Sequence, residues 1–294
     1  MPRTVDEGFR DFLPRLTPTA TESEGAKRHR ASIEACLQNN FGLKRFVRIG
    51  SFGNGTSISG YSDVDYLACL PTAELTQTST ASLSKVKNAL DNRFPYTDVR
   101  VRCPAVVVPL GSVAAETTEV VPADYVQDSN GYKIYEIADC SGGWMKASPD
   151  AHNEYVRYVD SKLNGKVKPL IRFLKAWKYL REVPISSFYL ELRVAKYADE
   201  EKSIVYDIDV KRVLRQLWDG DLANMRDPMG ISGYISACKS EALVRMHSRS
   251  CIQLSHELKR HVRPLTRAIS RMRFIGGAYS SIMNFPLTTS EYDF

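Results

Sequence analysis

A glycine–serine pair followed by two closely spaced aspartates constrains this chain more than any other feature. Gly50-Ser51 follows an apolar stretch, and eleven residues separate Ser51 from Asp63, with Asp65 two positions further on. Side chains alternate along a strand, so a strand over 64–70 that continues this segment would carry Asp63 and Asp65 on one side. The pattern therefore predicts a strand, a glycine-rich loop and a second strand that bring these polar groups to one place.

These residue types suit a phosphate and a metal ion. The backbone N–H groups and the hydroxyl of a Gly-Ser turn can bind a phosphate. Carboxylates on one face supply the hard oxygen ligands that Mg²⁺ needs when it also holds a triphosphate. Together they predict nucleotidyl transfer with two Mg²⁺ ions, for which Mn²⁺ is able to substitute. The other interpretation is a polar turn before an edge strand with two solvated aspartates.

A two-metal site needs a third carboxylate, for which the later strands offer Asp98, Glu119 and Asp124. Asp98 alternates with Arg100 and Arg102, a pattern that also fits an exposed, ion-paired strand face. Glu119 lies within a short apolar strand, where a lone acid is costly unless it has a partner. We therefore favour Glu119 and keep Asp98 as the second choice.

A basic run over 162–181 contains seven basic residues and no acidic one. On a helix, Lys168, Arg172 and Lys175 share one face because they are spaced at i, i+4 and i+7. They predict either a clamp on a triphosphate opposite the carboxylates or a solvated basic face, which is the usual meaning of a charge run.

Ser187, Phe188 and Tyr189 open the next predicted helix. The serine hydroxyl suits a phosphate, and either aromatic ring suits stacking on a base. The other interpretation is a serine that caps the helix, followed by aromatic residues of the core. The sequence by itself leaves both interpretations open.

The order of predicted elements divides the chain near residue 148. Before it, helices alternate with strands, and 51–62 is predicted to be a loop; the predicted helices are 3–13, 21–40 and 80–93, and the predicted strands are 46–49, 64–70, 97–102, 105–110, 118–121 and 132–137. After it, the predicted elements are helices: 152–163, 167–181, 187–198, 210–218 and 230–272. We therefore predict an α+β fold with a mixed-sheet core and N-terminal helices over 1–148 and a helical lobe over 149–294.

Composition bounds the protein class. The chain has 294 residues, 43% of them hydrophobic and 25% charged, which is ordinary for a globular protein. No apolar run predicts a membrane span and no secretory signal is evident, so a cytoplasmic location is expected. The net charge of +6 suits phosphate-rich ligands without demanding duplex nucleic acid. The six cysteines form no Cys-x-x-Cys pair and are predicted to be reduced thiols.

Together these motifs resemble the cGAS/DncV-like nucleotidyltransferases (CD-NTases), a family related to the animal oligoadenylate synthetases. The resemblance rests on segments spread along almost the whole chain: Gly50-Ser51-Phe52-Gly53, Ser62-Asp63-Val64-Asp65, Glu119-Val120-Val121-Pro122-Ala123, the segment 170–177, Ser187-Phe188-Tyr189-Leu190-Glu191 and Asn284-Phe285-Pro286. One departure is Glu119, which stands where the family pattern has aspartate.

The resemblance implies a polymerase-β-like fold of two lobes with the active site in the cleft. It implies an enzyme that makes a cyclic di- or trinucleotide second messenger from nucleoside triphosphates such as ATP and GTP. The product would activate a separate effector protein in antiphage (CBASS-type) signalling, with no membrane and no nucleic-acid activator involved. The catalytic metal ligands would be Asp63, Asp65 and Glu119. The nucleotide-binding residues would be Gly50, Ser51, Arg172, Lys175, Ser187, Phe188 and Tyr189.

Two other functions fit the same residues. One is linear oligonucleotide synthesis or another polymerase-β-like nucleotidyl transfer. The other is a degenerate module that binds nucleotide or RNA without chemistry, although the presence of all three candidate carboxylates argues against it. The choice of base, the linkage and the ring size are not encoded in any motif described above.

Overall fold

The computed structural model describes residues 4–111, 116–183, 185–220 and 222–237. The helices are α1 (Val5–Leu16), α2 (Ala20–Arg28), α3 (Arg30–Phe41), α4 (Gly50–Asn54), α5 (Ser79–Arg93), α6 (Pro149–Lys162), α7 (Val167–Leu180), α8 (Ser187–Asp199) and α9 (Tyr206–Asp219). The strands are β1 (Arg45–Ile49), β2 (Val64–Leu70), β3 (Arg100–Arg102), β4 (Ala105–Pro109), β5 (Thr117–Ser129), β6 (Tyr132–Ala138), β7 (Trp144–Ala147), β8 (Met225–Arg226) and β9 (Tyr234–Ile235). None of the helices in these ranges is long and apolar enough to cross a bilayer.

A mixed sheet organises the first half of the chain. Within the described ranges it has seven strands, in the order β1-β2-β5-β4-β3, with β6 pairing β5 and β7 pairing β6. β2 and β5 run parallel, and their register sets Asp65 opposite Glu119. The other neighbours in this sheet are antiparallel. The parallel pair therefore brings two acidic positions, distant in sequence, side by side.

Buried apolar residues form two main clusters. One lies between the sheet and helices α3 and α5, and it includes Leu37 and Leu90. The other lies among α6 to α9 and includes Leu170. α1 belongs to this second cluster, because Phe9 packs edge-to-face on Phe173 with ring centroids 4.7 Å apart. The first helix thus packs on the helical half, and the division of the chain at residue 148 remains a prediction.

The predicted α+β class with a mixed sheet is confirmed. β2 has the predicted bounds, and β1 begins one residue before the predicted strand. The predicted helices over 152–163, 167–181, 187–198 and 210–218 correspond to α6, α7, α8 and α9. Apolar residues recur at regular spacing in these elements, which is the signal that local sequence encodes best.

The predicted strand 118–121 and the predicted loop 51–62 need correction, and one strand was not predicted. The predicted strand 118–121 is too short, since β5 continues through Pro122 to Ser129. β4 pairs with β5 as far as Val120, and β6 begins to pair with β5 at Ala123. Pro122, which has no backbone N–H to donate, therefore lies in β5 between the end of the pairing with β4 and the start of the pairing with β6. The predicted loop 51–62 begins instead as the short helix α4. β7 has no counterpart among the predicted strands.

The predicted helix 230–272 is wrong where the structure describes it, because β9 and a turn occupy that part. The remainder of that helix, and the Asn284-Phe285-Pro286 motif, lie outside the described residues.

The prediction that all cysteines are reduced is wrong for two of them. Cys103, in the turn between β3 and β4, forms a disulfide with Cys140, which follows β6; their Cα atoms are 5.6 Å apart. Because 37 residues separate them in sequence, no short motif announces the pair. Cys36 and Cys69 are free and buried, and the other two cysteines lie outside the described residues.

Candidate active site

Three carboxylates gather at the start of the parallel strand pair. Asp63 directly precedes β2, and Asp65 lies within it opposite Glu119 of β5. Residues directly opposite each other on paired strands point to the same face of the sheet. Asp63 and Glu119 also form ion pairs with the same nitrogen of Arg102. The acids predicted to be catalytic are therefore neighbours in the fold, and we call Asp63, Asp65 and Glu119 the acidic cluster.

The other candidate acids lie elsewhere. The Asp98 side chain is 77% exposed and pairs with Arg100, with an N–O distance of 2.6 Å. Asp124 accepts a hydrogen bond from the hydroxyl of Thr72 at 2.9 Å, on an exposed surface. Neither contacts the acidic cluster through these bonds, so Glu119 is the third carboxylate that the fold supplies.

The acidic cluster has the chemistry of a metal site, although its side chains are not arranged as one. No group of three or more acidic, histidine or cysteine side chains in the described ranges is placed to hold a metal ion as it stands. All three members are nevertheless carboxylates, which suit Mg²⁺. One cation is already accommodated, because Arg102 Nη2 lies 2.6 Å from Asp63 Oδ2 and also pairs with Glu119. The donor set therefore fits a divalent ion in place of that guanidinium.

Gly50 is required by its neighbour and by its own backbone. Its φ of 59° lies in the left-handed region, and a Cβ at this position would collide with the Asp65 carboxylate. α4 begins at this turn and carries Ser51 in its first turn. The turn from β1 into α4 therefore places Ser51 next to the residue that touches Asp65.

The basic face of α7 contacts the loop that leads to the acidic cluster. Arg172 Nε donates to the Ser57 carbonyl at 3.2 Å, and burial lowers the pKa of Arg172. Lys175 is only 1% exposed; its ammonium forms an ion pair with Glu191 and donates to the Thr56 carbonyl at 3.3 Å. Arg172 and Lys175 share a face of α7 as predicted, and this face meets two backbone carbonyls and the Glu191 carboxylate rather than open solvent.

Glu191 completes this anchor. Asn54 Nδ2 donates to one carboxylate oxygen at 3.2 Å, and the Thr56 hydroxyl bonds the other. A buried ammonium needs a compensating charge, and Glu191 provides it. In this structure Lys175 therefore belongs to an anchor for residues 54–57, and its contact with a triphosphate stays a prediction.

Lys178, about one turn further along α7, lies beside Ser187. Its Nζ donates to Ser187 Oγ at 2.6 Å, and it lies 4.8 Å from the ring centroid of Tyr179. A hydroxyl and an ammonium in contact can bind two oxygens of one phosphate chain. Ser187, which the sequence predicts to bind a phosphate or to cap the helix, thus lies beside the ammonium of Lys178.

Tyr179 links this serine–lysine pair to the acidic cluster. Its hydroxyl lies 3.4 Å from Ser187 Oγ, and its ring stacks on Tyr61 with centroids 4.9 Å apart. Burial raises the pKa of Tyr179, the hydrogen bond with Ser187 lowers it, and the charges of Asp63 and Asp65 raise it again. Tyr179 therefore contacts Ser187 and Tyr61 and lies near enough to Asp63 and Asp65 for their charges to act on it.

The serine that caps α8 is Ser186, whose hydroxyl accepts the N–H of Tyr189 at 3.4 Å. The Ser187 hydroxyl is consequently directed to Lys178. Tyr189 is fully buried, and its own hydroxyl donates to a backbone carbonyl at 2.8 Å. Phe188 is 42% exposed. Of the two aromatic residues predicted to stack on a base, Phe188 is the one open to a ligand, whereas Tyr189 belongs to the core.

A buried histidine–aspartate pair supports Phe188 from behind. Phe188 packs edge-to-face on His152 with ring centroids 5.1 Å apart, and His152 Nε2 lies 3.0 Å from Asp227 Oδ2. Burial opposes ionisation of Asp227, but the hydrogen bond with His152 and backbone N–H groups outweigh burial and hold its pKa well below the usual range. The exposed Phe188 ring therefore packs on a buried, hydrogen-bonded pair of side chains, His152 and Asp227.

Sequence reasoning missed Arg102, Lys178, Tyr61 and Tyr179 as members of this site. Lys178 belongs to the basic run over 162–181, which the sequence pattern indicates as a candidate phosphate-binding segment. Helical spacing within that run, however, favours the face shared by Arg172 and Lys175. Arg102 is visible only as part of an alternating charged strand. For the two tyrosines no sequence signal exists, because only folding brings α7 against the loop before Asp63.

Comparisons with known proteins assign the class and then the family. The mixed sheet and its helices have the polymerase-β-like fold of the solved CD-NTase structures that this chain resembles. Residues 3–159 match the Second Messenger Oligonucleotide or Dinucleotide Synthetase (SMODS) domain, which is more than half of the chain. The chain therefore belongs to the SMODS family of nucleotidyltransferases, and the resemblance to CD-NTases is confirmed.

Relatives and solved structures agree with this assignment. A cyclic AMP-AMP-AMP synthase from Acinetobacter sp. (strain ATCC 27244 / 9458) is 27% identical over 255 residues, which span 78% of this chain and 71% of the relative. A probable cyclic nucleotide synthase from Bacillus cereus (strain VD146) is 29% identical over 198 residues, 62% of this chain and 58% of the relative. The structure of Escherichia coli MS115-1 CdnC with ATP has a TM-score of 0.66 at 16% identity and covers 92% of this chain and 93% of its own.

Proposed function

We propose that this protein is a metal-dependent synthase of a cyclic di- or trinucleotide second messenger, made from nucleoside triphosphates with release of pyrophosphate. The observation that supports it most is that Tyr179 contacts Ser187 of the Ser187–Lys178 pair, stacks on Tyr61 in the loop before Asp63, and lies near enough to Asp63 and Asp65 for their charges to act on it. A triphosphate held by that pair would extend toward the carboxylates. Because a relative is named a cyclic AMP-AMP-AMP synthase, ATP is the first substrate to test.

The chain's own residues divide the work of holding the donor nucleotide. Ser187 and Lys178 bind oxygens of the triphosphate through a hydroxyl and an ammonium. Ser51 adds a hydroxyl at the turn that Gly50 makes possible. Phe188, exposed at the start of α8, stacks on the base. Arg172, Lys175 and Glu191 act indirectly, by holding residues 54–57 in place.

Asp63, Asp65 and Glu119 would hold the Mg²⁺ ions, and Mn²⁺ is expected to substitute for them. A divalent ion bound there lowers the pKa of the attacking ribose hydroxyl and stabilises charge that develops on the α-phosphate. In the first transfer, the hydroxyl oxygen bonds to the α-phosphorus of the donor, the bond to pyrophosphate breaks and the proton passes to solvent. In the last, the linear intermediate's own hydroxyl attacks its remaining α-phosphate, which closes the ring and releases another pyrophosphate.

The direct test incubates the purified protein with radiolabelled ATP, GTP, CTP and UTP, singly and together, with Mg²⁺ or Mn²⁺. Products are treated with phosphatase alone, separated and identified by mass. A phosphatase-resistant product of cyclic mass supports the proposal, and its mass names the bases. A product that loses a terminal phosphate indicates linear synthesis. Metal-independent RNA binding without pyrophosphate release indicates a binding module.

We further infer that the product acts in the cytoplasm on a separate effector protein, in antiphage (CBASS-type) signalling. The family membership supports this inference. Nucleotide extracts of bacteria that produce the wild-type chain should contain the cyclic product, and cells that make it should resist phage when they also carry the effector. Extracts and resistance should both be lost with the Asp63→Asn/Asp65→Asn variant. Resistance that persists in that variant would contradict the inference.

A further inference from the structure

Arg102 contacts two members of the acidic cluster at once. Its Nη2 lies 2.6 Å from Asp63 Oδ2, and the same nitrogen forms an ion pair with Glu119. The Glu119 side chain is 10% exposed and the Asp63 side chain 28%, so both charges are partly removed from water. Like charges held this close would repel each other, and the guanidinium between them relieves that repulsion. Arg102 is therefore an internal counter-ion of the acidic cluster.

The oxygens that Arg102 uses are the ones a divalent ion needs. Mg²⁺ and Mn²⁺ bind carboxylate oxygens directly, and a guanidinium retains its charge at any pH at which the protein is folded. Arg102 cannot leave the acidic cluster by losing its proton. A metal ion at Asp63 and Glu119 and the guanidinium in its present position are consequently mutually exclusive, and one must displace the other.

The position of Arg102 in the fold permits such a displacement. It is the last residue of β3, a short strand at the end of the sheet order, and its side chain is 51% exposed. The backbone beside it is held by the disulfide of the next residue, Cys103, to Cys140. Release therefore requires only rotation of a half-exposed side chain into water, which for an arginine is inexpensive because its long stem has many rotamers.

We propose that Arg102 is a resident cation that occupies the oxygens of Asp63 and Glu119 until a divalent ion displaces it, and so sets the metal concentration at which the acidic cluster fills. The inference rests on the proposed function, since it assumes that metal binds at these carboxylates. In a variant that lacks Arg102, the carboxylates of the metal-free protein would repel each other. Such a variant would therefore bind a metal ion more strongly than the wild type.

The chain offers a matched control on the same strand. Arg100 lies two residues before Arg102 and has nearly the same exposure, but it pairs with Asp98, outside the acidic cluster. Arg100→Gln and Arg102→Gln therefore remove the same charge from the same strand, and the difference between them isolates the contact with Asp63 and Glu119.

The test measures Mn²⁺ binding in the absence of nucleotide, by electron paramagnetic resonance of the free ion. Arg102→Gln should bind Mn²⁺ about tenfold more tightly than the wild type, since hydrogen bonds between charged groups no longer have to be broken. Arg100→Gln should match the wild type within about twofold, because long-range charge effects are screened. The Mn²⁺ concentration for half-maximal pyrophosphate release should fall by the same factor in Arg102→Gln. Equal or weaker Mn²⁺ binding by Arg102→Gln would overturn the inference.

A second variant guards against a folding defect. Arg102→Lys keeps the positive charge but loses the planar fork, so its Mn²⁺ affinity should lie between those of the wild type and Arg102→Gln. If Arg102→Gln does not fold, as judged by thermal unfolding, Arg102→Lys decides: tighter binding than the wild type supports the inference, and equal or weaker binding overturns it.

The outcomes separate this inference from the proposed function. If the wild type and Arg102→Gln both bind no Mn²⁺, the acidic cluster is not a metal site and the inference fails. If Mn²⁺ binds but no nucleotide product forms, the proposed function fails, and the comparison of Arg102 variants still decides the inference. Asp63→Asn/Glu119→Gln should lose Mn²⁺ binding in either case, and retention would place the metal elsewhere and overturn the inference.

Discussion

Two sites in this protein pair a cationic side chain with carboxylates, and they differ in how far they are exposed to solvent. At the sheet, half-exposed Arg102 bridges Asp63 and Glu119. Between α7 and α8, Lys175 pairs with Glu191 at 1% and 8% side-chain exposure. A buried pair cannot separate without leaving an uncompensated charge away from water, whereas an exposed arginine can turn into solvent. Burial, rather than the kind of charge, therefore separates a group that a ligand can replace from one that fixes the scaffold.

The largest expected effect comes from removing the acidic cluster's charge. Asp63→Asn/Asp65→Asn should lower pyrophosphate release by more than about 1,000-fold, because several kcal/mol of transition-state stabilisation is lost with the metal. The measurement is a coupled pyrophosphate assay with ATP and Mg²⁺. Asp98→Asn, which changes an exposed acid paired with Arg100, should keep wild-type turnover. Wild-type turnover in the double variant would show that the chemistry takes place elsewhere.

The buried pair should show its effect in stability. Glu191→Gln should lower the free energy of unfolding by about 3–5 kcal/mol, because it leaves Lys175 buried without a counter-charge. Urea unfolding measures this, and Glu24→Gln, which breaks an exposed pair with Lys27, should change the value by less than about 1 kcal/mol.

The apolar double variant Lys175→Met/Glu191→Leu sharpens the comparison further. It should recover most of the lost stability, since no buried charge remains. Its activity should stay low, because residues 54–57 have lost their anchor. If Glu191→Gln is as stable as the wild type, Lys175 is not held in the way the structure shows.

Substitutions of Lys175 and Lys178, both on α7, should affect different properties: stability for Lys175 and nucleotide binding for Lys178. Lys178→Met should raise KM for ATP by about tenfold to a hundredfold, the value of a hydrogen bond to a charged phosphate, with little change in unfolding free energy. Initial rates at varied ATP concentration measure this. Arg181→Met, at an exposed position just beyond α7, is the control and should leave KM unchanged. An unchanged KM in Lys178→Met would return the triphosphate role to another residue of the run.

The smallest effect concerns another buried carboxylate, Asp227. Its pKa is lowered in the folded state, so its ionised form contributes stability that is present above the unfolded pKa of about 3.9 and lost as pH falls toward the folded value. Asp227→Asn should cost about 2 kcal/mol at pH 7, and the difference from the wild type should persist to about pH 5 and shrink below pH 4. Urea unfolding across this range measures it; a difference independent of pH would contradict the lowered pKa.

Local sequence predicts this protein best where one short segment carries the whole signal. The strand that bears Asp65 is predicted from alternation and apolar content, and Gly50 from the need for a tight turn. Glu119 is also predictable, since an acid in an apolar strand needs partners. Lys175 shows the limit: its position on the helix is predicted correctly, but helical spacing does not reveal whether that face meets phosphate, solvent or a buried glutamate.

The amino-acid sequence by itself determined the periodic elements, the acids and glycine of the Gly-Ser motif, and the family. These follow from interactions within a few residues, or from patterns that occupy one continuous segment. Only the tertiary structure decided that Arg102 lies between Asp63 and Glu119, that Lys178 rather than Lys175 reaches Ser187, and that Cys103 meets Cys140. Each of these depends on contacts between segments far apart in the chain, which form when burial of the sheet and helices sets the distances.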